Sequence, residues 1–153
     1  DIEGLCYAPN ENALWLACKE KPGLEKGQHK GSRAIYSFDL EKKKLTKKPR
    51  FLIDLDELTE LLNTKYKKDK KSWEFRPSGL ALHPVTNQLY VLAHGGGLLV
   101  VLNTDGTLVD ATHLSKKIFS QPEGIAFSPN GNLYISNEGV DKKANILRFT
   151  YQP

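Results

Sequence analysis

Pro122-Glu-Gly-Ile-Ala-Phe-Ser-Pro-Asn-Gly-Asn-Leu-Tyr-Ile-Ser-Asn-Glu138 decides the reading of this chain, because the chain writes it three times. Asp1-Ile-Glu-Gly-Leu-Cys-Tyr-Ala-Pro-Asn-Glu-Asn-Ala-Leu-Trp15 is a second copy, and Arg76-Pro-Ser-Gly-Leu-Ala-Leu-His-Pro-Val-Thr-Asn-Gln-Leu-Tyr90 is a third. Aligned on Gly4, Gly79 and Gly124, each copy continues with an aliphatic residue. Five residues on comes a proline (Pro9, Pro84, Pro129), then an asparagine (Asn12, Asn87, Asn132) ahead of a Leu-aromatic pair. Agreement over that length is an internal repeat.

Each copy reads as a β-hairpin. Apolar residues fill both arms, and the turn between them holds Pro, which fixes φ, and Asn or Gly, which tolerate positive φ. Gly79 and Gly124 stand 45 residues apart, room for four short strands with their turns. That is the size of one propeller blade. Gly4 and Gly79 stand 75 apart, and the excess marks an insertion.

The remaining strands follow in order. Arg33 to Leu40 alternates like a half-buried strand and Phe51 to Leu55 supplies a fourth, so residues 1–55 make one blade. Asp56 to Asn63 places Leu58, Leu61 and Leu62, with Leu55, on one helical stripe with acidic residues early, which predicts a short helix over the blade side within an insertion 56–73. The lysine-rich run from Lys65 to Ser72 has no apolar periodicity and reads as a mobile, dispensable segment. Residues 74–120 form the second blade, with strands at Ser78 to His83, Gln88 to Ala93, Gly97 to Asn103 and Thr107 to Leu114. Gly95-Gly-Gly97 lacks the Lys-Ser/Thr of a phosphate-binding loop and reads as a tight connection. Residues 121–153 supply strands at Glu123 to Ser128, Leu133 to Asn137 and Asn145 to Tyr151, a blade short of its outer strand. Closed propellers often complete such a blade with a strand from the other chain end. The fold class expected is therefore all-β, a β-propeller of about three blades with one inserted helix. Beginning at Asp1 inside a repeat and lacking methionine, the sequence reads as a piece of a longer chain, to be joined by the rest of the ring or by a second copy.

The formal charge of +4 concentrates in Glu41 to Arg50 and Lys65 to Lys71. Stacking aromatics are sparse among these lysines and no nucleic-acid motif is present, so they read as solvated loops and nucleic acid is not an expected partner. No apolar run approaches the ~20 residues of a membrane-spanning helix. The two cysteines read as small buried thiols, Cys6 facing Trp15 and Cys18 opposite Glu3.

The repeat resembles the SdiA-regulated domain family. The likeness is carried by Asp1-x-Glu3-Gly4, Pro122-Glu-Gly-Ile125, the Leu14-Trp15 and Leu133-Tyr134 second strands, and the acidic Glu20 and Glu138 beyond them. It implies a six-bladed propeller, a bacterial cell-envelope or periplasmic setting, and no established activity. The second blade departs from the pattern with Ser78 and His94 where the others have Glu.

The candidate site is one end of the channel. In an antiparallel hairpin the start of one strand neighbours the end of the next. Glu3 is thus expected beside Lys19-Glu20, Glu123 beside Asn137-Glu138, and Ser78 beside His94, with Arg76 near both. Two readings of the carboxylates compete. Gathered together, Glu3 and Glu123 would repel, and a hard cation, Ca²⁺ before others, would relieve the repulsion. Alternatively each is paired, as Glu20 with Lys19 or Glu138 with Lys142, or pins a blade start. For function, a non-catalytic module binding a small molecule or protein at the mouth competes with a metal-dependent lactonase or esterase. The sequence has no Gly-x-Ser-x-Gly elbow and no Cys/His metal spacing, and His29, His83, His94 and His113 share no pattern.

Overall fold

A computed structural model describes residues 1–69, 71–139 and 143–153. They fold into three antiparallel sheets, each opened by one copy of the repeat. Strands β1 (Ile2–Ala8) and β2 (Ala13–Cys18) form the first hairpin, and β3 (Ser32–Asp39) pairs with β2. The outer edge of β3 is shared by two short strands. Lys44–Leu45 (β4) pairs with its last residues and Phe51–Asp54 (β5) with its first four.

Asp54 ends β5 one residue earlier than the alternation suggests, because its carboxylate caps the following helix. Oδ1 accepts from the Asp56 and Glu57 N–H groups at 2.8 and 3.1 Å. Helix α1 (Leu55–Tyr66) therefore starts on Leu55 and runs three residues beyond Asn63. Leu58 and Leu62 are its buried face. The extra turn is held by Lys65, whose Nζ donates to Asp110, to the Ala111 carbonyl and to Thr112 Oγ1 at 2.7 to 3.2 Å. Tyr66 Oη accepts from the His113 N–H. The lysine-rich run is thus divided: its first two residues anchor the helix, contrary to the reading of the whole run as dispensable.

The second sheet holds β6 (Arg76–Leu82), β7 (Leu89–Gly95), β8 (Leu98–Leu102) and β9 (Leu108–His113). The third holds β10 (Pro122–Phe127), β11 (Leu133–Asn137) and β12 (Asn145–Phe149). At the hairpin turns, Asn12, Asn87 and Gly131 take φ of 45°, 55° and 87°, the conformation for which the repeat's asparagines and glycine suit the turn.

Strands β1, β6 and β10 lie side by side, each the inner edge of its sheet. The repeat glycines allow this approach. A Cβ on Gly4 would stand 3.0 Å from Leu80 Cγ, and one on Gly79 would stand 3.0 Å from Ile125 Cγ2. The main core lies between the first two sheets and under α1, around Trp15, Phe51, Leu62, Phe75, Leu89 and Leu98. Leu92, Leu114 and Ile135 form a smaller core between the second and third.

Different chemistry closes the two seams. Between sheets one and two, Arg50 donates to the Thr104 carbonyl at 3.0 Å across the seam, held in place by donating to the Glu11 carboxylate of its own sheet at 2.8 Å and by lying 4.5 Å from the Phe51 ring centroid. At the other end of that seam Arg76 pairs with Glu20 at 3.3 Å. Between sheets two and three, Ser78 Oγ donates to the Pro122 carbonyl at 3.0 Å. Deeper in that seam the buried His83 ring sits 4.7 Å from both Phe127 and Tyr151.

Both cysteines are free thiols. Cys6 faces Trp15 as expected, and burial pushes its thiol pKa up to about 12. Cys18 sits opposite Ile2 rather than Glu3, because the backbone bulges at Glu3. Among the described residues no helix is long and apolar enough to cross a membrane.

Candidate functional site

The same irregularity recurs in all three inner strands. Register shifts between Ile2 and Gly4, between Pro77 and Gly79, and between Pro122 and Gly124 leave Glu3, Ser78 and Glu123 as the extra residue of a β-bulge. A bulge re-aims its side chain relative to the regular pleat. These three residues are therefore equivalent positions at one end of the three inner strands.

The bulge also sets which residue of the second strand lies alongside. Gly4 pairs with Ala17, Gly79 with Leu92 and Gly124 with Ser136. Counting from those pairs, the equivalent neighbours are Lys19, His94 and Glu138. Of the expected Lys19-Glu20 pair it is Lys19 that takes this place, and Glu20 stands one residue beyond. In the outer blades the backbone closes identically, the Lys19 N–H bonding to the Asp1 carbonyl and the Glu138 N–H to that of Gln121. In the second blade a side chain does this work: Ser78 Oγ accepts from the His94 N–H at 3.1 Å.

The structure brings most of the expected site together as pairs. Glu3 Oε1 accepts from Lys19 Nζ at 2.8 Å. The ammonium is held above the ordinary lysine value first by that hydrogen bond, then by the fields of Glu3, Glu123 and Glu20. Glu123 Oε1 lies 3.9 Å from His94 Nδ1. Arg76 spans Glu74 at 2.8 Å and Glu20 at 3.3 Å. Glu138 accepts from Gln121 Nε2 at 2.6 Å; its other expected partner, Lys142, lies outside the described residues. Asn137 is buried and donates to Asn145 Oδ1 at 2.9 Å, while its own Oδ1 has no partner among the described residues. Ser78 is buried and its hydroxyl is committed to Pro122 and the His94 backbone.

Glu74 and Gln121 complete the arrangement and escaped the sequence reading. Lys19 was expected beside Glu3 together with Glu20, and it is Lys19 that bonds to it. Gly95-Gly-Gly97 also gains a role. The Arg76 stem lies against Gly95, where a Cβ would come within 2.8 Å, and Gly96, at φ 96°, packs on the Glu74 backbone with no room for a side chain. The glycines seat the Glu74–Arg76 pair.

As a calcium site this set does not fit. Ca²⁺ takes six to eight oxygens, whereas Glu3 is bonded to Lys19 and Glu123 faces a histidine. No group of three metal-ligating side chains converges among the described residues.

Three antiparallel sheets stacked radially about adjoining inner strands define a β-propeller. The family model described as SdiA-regulated matches residues 1–140, so the chain belongs to that family. Solved structures share the fold. A luciferin-regenerating enzyme superposes with a TM-score of 0.55 at 16% identity, over 96% of this chain and 44% of that one. A gluconolactonase, XC5397 from Xanthomonas campestris, superposes at 0.52 with 20% identity, over 89% of this chain and 40% of that one. A glucose dehydrogenase superposes at 0.54 with 16% identity, over 99% and 41%. This chain thus spans less than half the length of these structures. No curated protein sequence matches it.

Proposed function

We propose that this chain carries part of the mouth of a six-bladed, cell-envelope propeller that binds a polar, zwitterionic small molecule or peptide end without chemically altering it. The observation that carries the reading is the repeated bulge, which sets Glu3, Ser78 and Glu123 beside Lys19, His94 and Glu138. Carboxylates and basic side chains alternate there: Glu3 with Lys19, Glu20 with Arg76, Glu123 with His94. A ligand bearing both an amine and a carboxylate can exchange with these half-exposed pairs while leaving no charge unpaired. The envelope setting rests on membership of the family. Against nucleophilic catalysis stands Ser78: its hydrogen bonds run to backbone groups, and His94 meets it through the backbone N–H rather than the imidazole.

Calorimetric titration with amino acids and dipeptides tests the proposal. Saturable binding by the parent, weakened at least tenfold by Lys19→Ala and by Glu123→Gln with unchanged melting, is the expected result. Binding that ignores both substitutions refutes it. The second reading, hydrolysis of a lactone or ester, draws on the His94–Glu123 pair, which can move a proton through a bound water. Turnover of a lactone panel, lost on His94→Ala, would favour that reading over binding alone.

A further inference from the structure

The outer edges of the first two blades are finished in different ways. In the first blade the edge of β3 is divided between β4, of two residues, and β5, of four, with Lys47, Lys48 and Pro49 in the gap. Short strands, lysines and proline are the usual means of blunting an edge against further pairing. The outer strand of the second blade uses none of them. β9 runs for six residues, Leu-Val-Asp-Ala-Thr-His, without lysine or proline, and Val109 on it is exposed and β-branched. The order β6-β7-β8-β9 puts this edge on the far side of the blade from the inner strands, where neighbouring blades of a ring do not reach.

What meets the edge instead is the end of α1. The Leu114 N–H donates to the Gly97 carbonyl on the β8 side. Backbone groups alternate in direction along an antiparallel strand, so Thr112, opposite Leu99, also points its groups at β8, while Ala111 and His113 point theirs outward. Lys65 Nζ donates to the Ala111 carbonyl at 2.9 Å, and Tyr66 Oη accepts from the His113 N–H at 2.9 Å. A donor for one carbonyl and an acceptor for the N–H two residues on is what the backbone of a single residue supplies in an added parallel strand. Bonds from Lys65 Nζ to Asp110 Oδ1 at 2.7 Å and Thr112 Oγ1 at 3.2 Å steer it to this place. From behind, Asn63 accepts from Trp73 Nε1 at 2.8 Å and donates to the Lys71 carbonyl at 3.1 Å, tying the returning chain to the helix. Trp73 and Tyr66 then close on the His113 ring, with centroids 5.5 and 6.5 Å away.

We propose that Lys65 and Tyr66 stand in for a fifth strand and close the outer edge of β9 against strand addition by a second copy of this chain. β9 is the same strand in every copy. Two copies therefore offer each other matching outward groups, which a two-fold antiparallel pair satisfies all at once, and open edges of identical sheets associate in this way. The insertion thus has a task independent of the mouth: it finishes the one outer edge that strand length and composition leave unblunted.

Amide hydrogen exchange and sedimentation of the 153-residue chain test this, with Lys65→Met and Tyr66→Phe combined in one variant. The substitutions keep an apolar stem and a ring and remove only the donor and the acceptor. Exchange of the His113 N–H should quicken about tenfold or more relative to that of Leu114, whose bond to Gly97 is untouched. Compared with the parent at each concentration, the variant should gain mass. Adding Val109→Lys, which puts a charge on the freed edge, should return it to the parent's distribution. Unchanged His113 exchange overturns the proposal, because the two side chains then do not close the edge. Faster exchange with a mass that follows the parent's overturns it too, as does gained mass that Val109→Lys leaves in place. If the double variant loses its cooperative melt, Tyr66→Phe alone carries the same readings, since it keeps the ring against Trp73 and His113.

Discussion

Gly79→Ala tests the inner seam directly. The added Cβ would stand 3.0 Å from Ile125 Cγ2 and 3.2 Å from the Glu123 carbonyl oxygen. Carbon pairs sit best at about 3.5–4.0 Å. One of the two obstacles is a side-chain methyl and the other is backbone, so rotamer adjustment at Ile125 relieves only half of the clash. β10 must retreat by several tenths of an ångström. Overpacking of this kind costs about 1–3 kcal/mol, and at about 2–4 °C per kcal/mol in a chain of this size the melting temperature falls by about 2–12 °C. Because the displaced backbone is that of Glu123, the 3.9 Å approach to His94 shifts as well, and mouth affinity should drop with stability. Thermal melts of Gly79→Ala, Ile125→Ala and the double variant supply the assay. The double should be less destabilised than the sum of the singles, by about 0.5 kcal/mol or more. Strict additivity, or a Gly79→Ala melt equal to the parent's, refutes the close-approach reasoning.

Lys65→Ala should lower stability by about 1 kcal/mol, since it removes the ammonium that ties α1 to Asp110, Ala111 and Thr112, and a chemical melt reads the loss. Asp54→Ala removes the helix cap and should cost about 0.5–2 kcal/mol, visible in the same experiment. His83 accepts the Val85 and Thr86 N–H groups on Nδ1, and burial holds its pKa below the ordinary histidine value. The unfolded chain therefore binds the extra proton first, and stability, complete above about pH 6.5, declines as pH falls from there toward the folded value. His83→Asn keeps an acceptor without a titration in that range, so its melting temperature should lose this component of the slope. Limited trypsin digestion should cut after Lys67 or Lys68 before Lys65, as mass spectrometry of the first fragments would show, because Lys65 is held by an ion pair.

What the sequence made legible was whatever the backbone demands of residue type. The turns of the repeat need Asn or Gly at positive φ, and Asn12, Asn87 and Gly131 stand there. The hairpin arms need apolar residues, and their bounds fell within one or two residues of the strands. Two things escaped. A bulge is one extra residue in a strand, with no composition of its own: two glutamates and a serine fill it, and what Glu3, Ser78 and Glu123 all share is the place before a glycine. Without it Cys18 is set opposite Glu3, whereas the bulge moves it opposite Ile2 and leaves Lys19 rather than Glu20 as the neighbour of Glu3. The end of α1 was hidden for another reason. Lys65 and Tyr66 extend it through partners on β9, some 45 residues away in sequence, and helical periodicity records only the residues that face a core.

The unequal closure of the two seams bears on how the blades respond to ions and load. The first seam is held at one end by the bond from Arg50 to the Thr104 carbonyl and at the other by the Arg76–Glu20 ion pair, which is exposed enough for salt to screen it. The second has a buried hydroxyl and an aromatic cluster around His83, which salt leaves intact and acid loosens. The three blades are thus joined in two different ways. Rising ionic strength bears on the joint beside Glu20 and acidification on the joint near Tyr151, so the two sides of the middle blade answer to different solution conditions.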